Sequence, residues 1–98
     1  MKTFIQVTWH HDLVGEPVEI ISEIDSGIER RKIEVYRDGQ VGFADSIREV
    51  RGSILSEGIM PTLEEINAQD EFTGKYITES EFEELWSRYV STAEEDIR

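Results

Sequence analysis

The side chains that could do chemistry in this chain are few, and most stand without the companions that chemistry needs. His10-His11-Asp12 holds both histidines. Two imidazoles and a carboxylate are metal-ligand types. Neighbouring residues project in divergent directions, however, and no further ligand follows at a recognisable spacing, so the stretch reads as a polar loop and no metal is expected. With no cysteine in the chain, thiolate sites and disulfides are excluded. No serine sits in a Gly-x-Ser-x-Gly setting, and the glycines stand singly at turns, without a phosphate-binding loop or a dinucleotide fingerprint. No cofactor is expected on those grounds. Two carboxylates remain, Glu19 and Glu34, which become direct neighbours in the strand register derived below. Like charges set opposite each other raise one pKa, which is how a carboxylate pair divides into acid and base. A small enzyme or ligand-binding domain built on Glu19 and Glu34, with His11 in support, is therefore one reading. Arg30, Lys32 and Arg37 lie close enough in sequence to neutralise the pair, and water would screen it, so the balance favours a non-catalytic protein.

The elements that must position these residues begin with a hairpin. Over residues 32–44, two runs rich in β-branched and aromatic residues flank Asp38-Gly39, a pair that accepts the positive φ angles of a two-residue type I′ turn. That turn predicts Arg37 opposite Gln40, then Tyr36 with Val41, Val35 with Gly42, Glu34 with Phe43 and Ile33 with Ala44. A tight turn at Ser26-Gly27 sets Ile24 opposite Glu29, Glu23 opposite Arg30, Ile20 opposite Ile33 and Val18 opposite Val35. Side chains alternate faces along a strand. The two turns together therefore predict Val18, Ile20, Ile33, Val35, Gly42 and Ala44 on one shallow apolar face. The other face gathers Glu19, Ile21, Glu23, Glu34, Tyr36, Val41 and Phe43. A strand over residues 3–9, with Ile5, Val7 and Trp9 at alternate positions, and a short one near residues 53–55 complete a four- or five-stranded antiparallel meander.

Two capping boxes announce helices. Thr62 with Glu65 opens a short one whose apolar side is Leu63 and Ile66, ended by residues 67–70. Thr78 with Glu81 opens a longer one, with Ile77 and Phe82 at the spacing of a hydrophobic staple. Phe82, Leu85, Trp86, Tyr89, Val90 and Ala93 then form one continuous apolar stripe, and residues 94–98 are expected to fray. The fold class is α+β, a single domain over residues 1–98, with the short helix and the C-terminal amphipathic helix packed on one face of the sheet. The stripe is expected to dock on the Gly42/Ala44 face, where small residues permit close approach.

Ten Lys and Arg against 22 Asp and Glu give a net charge of −12. Such a field repels nucleic acid and anionic membrane and speeds encounter with a basic partner. The start of the chain lacks the apolar run of a signal peptide and no later stretch could span a bilayer, so a cytoplasmic protein is expected. On the outer sheet face, Ile21, Tyr36, Val41 and Phe43 stand among Glu19, Glu23, Glu34 and Asp45. Aromatic anchors ringed by acid describe a patch for a basic protein partner. The opposing expectation is that residues 46–61 fold over this face and bury it.

Several segments together carry a family likeness: Trp9, His11, Pro17-Val18, Ser22-Glu23-Ile24-Asp25, Arg31-Lys32-Ile33-Glu34, Asp38-Gly39, Gly42, residues 61–67 and Glu81-Phe82-Glu83-Glu84-Leu85-Trp86. The chain resembles, over nearly its whole length, a family of short acidic bacterial proteins known as a domain of unknown function. The resemblance implies no activity, cofactor or catalytic residue. Small acidic single domains of this kind are similar to the immunity proteins that accompany bacterial toxins, an analogy of type alone. The expected function is a protein-binding module that captures a basic partner in the manner of such an immunity protein. The alternatives are the Glu19/Glu34 enzyme and a structural homodimer joined through an exposed edge strand.

Overall fold

Alternating apolar residues, two tight turns and two capping boxes produce eight elements in the computed structural model, which describes residues 1–96 and the side chains of residues 1–94. In chain order these are β1 (Lys2–Trp9), β2 (Pro17–Asp25), β3 (Ile28–Tyr36), β4 (Val41–Ala44), β5 (Glu49–Val50), α1 (Leu63–Asn67), β6 (Phe72–Ile77) and α2 (Glu79–Asp96). The fold is α+β, and its antiparallel sheet has six strands in the order β5-β4-β3-β2-β1-β6. That is more than the four or five expected. The short fifth strand falls at Glu49–Val50 rather than at residues 53–55, and β6 adds a strand beyond β1, which therefore lies inside the sheet.

Both predicted turns occur, yet β3 is turned over relative to the expected faces. At the first turn Ser26 and Gly27 both have positive φ, 52° and 85°, and Ile24 does pair with Glu29. Beyond it a bulge leaves Arg30 without an opposite number, so that Glu23 meets Arg31 and Ile21 meets Ile33. At the second turn the loop has three residues rather than two. The Gly39 N–H donates to the Tyr36 carbonyl at 2.9 Å, the Tyr36 N–H donates to the Gln40 carbonyl at 2.9 Å, and Gly39 alone takes a positive φ, 89°. This is the type I turn with a left-handed glycine that ranks next to the two-residue hairpins. It pairs Val35 with Val41, Glu34 with Gly42 and Ile33 with Phe43. A slip of one residue exchanges faces, and β3 slips against both of its neighbours.

The sheet is consequently covered on both sides. On one, Phe4, Ile21, Ile33, Val41 and Phe43 form a core with Phe82, Val90 and Ala93 of α2, flanked by Leu85, Trp86 and Tyr89. The predicted stripe is thus the buried face of α2, but it docks on Val41 and Phe43, not on Gly42 and Ala44. On the other side Ile5, Val7 and Ile24 pack with Met60 and with Leu63 and Ile66 of α1, so the two helices cover opposite faces of the sheet rather than one face as expected. Gly42 does permit a close approach there. A Cβ at this position would lie 2.5 Å from Ser53 Oγ and 2.9 Å from the Val50 carbonyl, so a strap of chain over residues 51–61 crosses the face where a helix was expected, and the Ile21/Val41/Phe43 face that this segment was expected to bury is covered by α2 instead.

Both capping boxes form. Thr62 Oγ1 accepts from the Glu65 N–H at 3.1 Å while Glu65 Oε1 accepts from the Thr62 N–H at 2.9 Å. Thr78 and Glu81 repeat the exchange at 3.0 and 2.9 Å. At the β6 edge the Asn67 amide takes the place of a further strand, accepting from the Gly74 N–H at 2.6 Å and donating to the Gly74 carbonyl at 3.0 Å. Of the tail expected to fray, residues 94–96 continue α2, and Ile97 and Arg98 lie outside the described residues.

Candidate functional site

The seven residues expected to line an open face part company. Ile21 and Phe43 are 0% exposed and Val41 is 1% exposed, all beneath α2. Glu23 is buried with them: its Oε1 accepts from Arg31 Nε at 2.5 Å, and Lys2 Nζ lies 3.3 Å from Oε2. Burial raises the Glu23 carboxyl, but Arg31 and Lys2 outweigh it and hold the group below its ordinary range. The expected docking face is therefore core, and the reason is the inversion of β3. That inversion also separates the carboxylate pair. Glu19 lies opposite Val35 and Glu34 opposite Ile20, so the two side chains point to opposite faces of the sheet. Glu19 accepts from Gln6 Nε2 on one, and Glu34 Oε1 accepts from Ser53 Oγ at 2.6 Å on the other. They do not meet and cannot divide a proton between them.

Tyr36, by contrast, borders a cavity. At the end of the sheet the β1–β2 loop and the β3–β4 turn stand apart and leave an open groove of about 690 Å³. Leu13, Val14, Gly15 and Glu16 form one wall, Tyr36, Arg37, Asp38 and Gln40 the other, and Arg51 closes one side. Leu13 and Val14 are 54% and 98% exposed, two adjacent apolar side chains held out to solvent on the lip. Tyr36 is half-buried, and its phenol is pushed up by burial and then by the charges of Glu34 and Glu16, so it stays a neutral hydrogen-bonding group at physiological pH. The walls are tied by cations. Arg37 Nη2 donates to the His11 carbonyl at 2.5 Å and Arg51 Nη1 to Gln40 Oε1 at 2.9 Å. Sequence patterns passed over this site because loops have no periodicity. The one available signal was Leu13-Val14, an apolar pair that neither a strand nor a helix absorbs.

The histidines serve the loop. His10 Nε2 lies 2.8 Å from Thr73 Oγ1, and His11 sits against Trp9 with ring centroids 4.2 Å apart. Among the described residues no group of three or more His, Asp or Glu side chains is placed to hold a metal ion, and no helix is long and apolar enough to cross a membrane. The groove brings together apolar, phenolic, acidic, guanidinium and amide groups.

A family model described as a domain of unknown function (DUF6881) covers residues 3–91. No curated protein matches the chain, and no solved structure matches it.

Proposed function

The chain belongs to the DUF6881 family, a domain of unknown function, and we propose that it is a non-catalytic module that captures a basic segment of a protein partner in the groove beside Tyr36. The observation that carries this reading is the lip itself. Leu13 and Val14 are exposed side by side next to a half-buried tyrosine, and apolar side chains around an amphipathic aromatic are the usual centre of an interface. Glu16 and Asp38 border the same groove and suit lysine or arginine on the partner. The net charge of −12 supports the sign of the partner, since it would draw a cation in faster at low salt. In the form suggested by the resemblance to immunity proteins, the partner is a basic toxin that the domain neutralises.

The test is capture of partners from the native cell by immobilised wild-type protein and by Tyr36→Ala, at low and high salt. A basic protein retained by the wild type, weakened by salt and lost with Tyr36→Ala supports the proposal. The expected loss is about 2 kcal/mol, roughly thirtyfold in Kd. Equal retention by the two proteins, with the variant shown folded by circular dichroism, would overturn it.

A further inference from the structure

One wall of the groove owes its shape to a single imidazole. Residues 10–16 contain no strand or helix, yet His11 anchors them at four points. Its Nδ1 accepts from the Leu13 N–H at 2.9 Å, its Nε2 lies 2.7 Å from the Pro17 carbonyl, its ring rests on Trp9, and its own carbonyl accepts from Arg37. A carbonyl oxygen can only accept and an amide N–H can only donate, so these two partners select the neutral ring with hydrogen on Nε2 and none on Nδ1. Arg37 faces the residue from the β3–β4 turn. Glu71, before β6, spends its carboxylate on Trp9 Nε1 at 3.2 Å, and His10 is turned to Thr73. Asp12 and Glu16 lie on the same loop, and among the described residues no carboxylate is hydrogen-bonded to the ring of His11.

We infer that His11 is a proton-operated latch on the groove, an inference that rests on the groove being the binding site. A proton on Nδ1 replaces the acceptor that holds Leu13 with a donor facing another donor. The latched loop therefore binds one proton fewer than the released loop, and acidification favours release. Released, Leu13 and Val14 no longer form a fixed lip, and the partner loses the preorganised surface that makes binding favourable. The domain holds its partner at neutral pH and lets it go in mildly acidic surroundings, the range in which histidine changes charge.

The experiment is nitrogen and amide NMR on the full chain, without any partner, from about pH 8 to about pH 5. Hydrogen on Nε2 alone at the upper end is expected, with the Leu13 amide shifted downfield by its bond to Nδ1. On acidification that shift should vanish in step with titration of the His11 ring while the amides of α2 stay in place. His11→Asn should abolish the titration of Leu13, and His10→Asn should preserve it. Hydrogen on Nδ1 at neutral pH, or a Leu13 amide indifferent to the ring, overturns the latch, and the wild-type spectra decide this even if a variant misfolds. The two readings fail separately. A titrating Leu13 in a chain whose capture of partners does not depend on Tyr36 supports the latch and overturns the groove as the docking site.

Discussion

Arg31 shows how much one side chain can join in this fold. It donates from Nε to Glu23 and from both Nη atoms to Glu83, at 2.5, 3.0 and 2.6 Å. Its guanidinium lies 4.7 Å from the ring centre of Phe82 and 5.0 Å from that of Trp86. The planar fork and its weak hydration suit arginine to this place, and lysine could not repeat it. The hydrogen bonds to Glu83, set against burial, raise the pKa of Arg31, and Arg31 in turn lowers that of Glu83. Replacing Arg31 with Met would leave Glu23 buried beside Lys2 alone. Breaking a buried pair from one side costs about 3–5 kcal/mol, so urea denaturation of Arg31→Met should show a loss of that order. The pH dependence has a definite sign. Glu23 and Glu83 titrate below the ordinary value of 4.5 in the folded chain. Their contribution is complete above that value and is lost as pH falls through the lowered native values. Wild-type stability should therefore fall below about pH 4.5, and the fall should be shallower in Arg31→Met. Equal slopes in the two proteins would show that the pair contributes nothing to acid sensitivity.

At the scale of elements, two glycines of β-hairpins separate two kinds of cost. Gly39 has φ of 89° and nothing within 4 Å of an added Cβ, whereas Gly42 has ordinary backbone but stands against Ser53 Oγ and the Val50 carbonyl. Gly39→Ala should cost about 1–2 kcal/mol through backbone strain alone. Gly42→Ala should cost about 1–3 kcal/mol through overpacking and should also loosen the strap at Ser53. Equilibrium denaturation checks both costs, and the Ser53 and Ser56 amide resonances should move only in Gly42→Ala. The same two glycines mark what was legible in the sequence and what was not. The turns, the capping boxes and the α2 stripe were legible because each is a local pattern with one physical cause. The register was not. An unpaired Arg30 and a three-residue loop at Arg37-Asp38-Gly39 leave no clear mark in residue type, yet each shifts β3 by one position. Ile21, Val41 and Phe43 therefore belong to the core with Ile33, and Glu19 is parted from Glu34. β6 was missed because Gly74 interrupts its middle, a residue that weakens a strand pattern. That glycine is there for Leu63 of α1, whose Cδ1 lies 2.7 Å from where a Cβ would stand. The groove escaped notice except for Tyr36, since its other members come from loops that only the assembled sheet brings together.

The whole molecule is one sheet with two covers of different chemistry. α2 is held mainly by apolar contact, with Phe82 and Ala93 fully buried, and ion pairs of Glu83 with Arg31 and of Glu94 with Arg48 add to it at the rim. The strap over residues 51–61 is held largely by polar contacts. Glu29 accepts from Ser22 Oγ at 2.7 Å and from the Ser56 N–H at 2.8 Å, Lys32 Nζ lies 3.1 Å from the same carboxylate and donates to the Ile54 carbonyl at 2.9 Å, and Ser53 bonds Glu34. Ile54 and Ile59 of the strap meanwhile face solvent. Water can replace hydrogen bonds but cannot replace apolar burial, so the strap should open locally while α2 should leave only when the sheet unfolds. Native-state hydrogen exchange distinguishes the two. The Ser56 amide should exchange with a smaller opening free energy than the amides of β3 that pair with β2. Phe82→Ala should lower global stability by about 3–5 kcal/mol, a large share of what a domain of this size possesses. The protection of β3 should fall by that amount while Ser56 keeps its own value, because its opening does not pass through the unfolded state. A Ser56 amide that loses protection in parallel with β3 would instead make the strap part of the same cooperative unit, its buried Glu29 network as firm as the core on the other side.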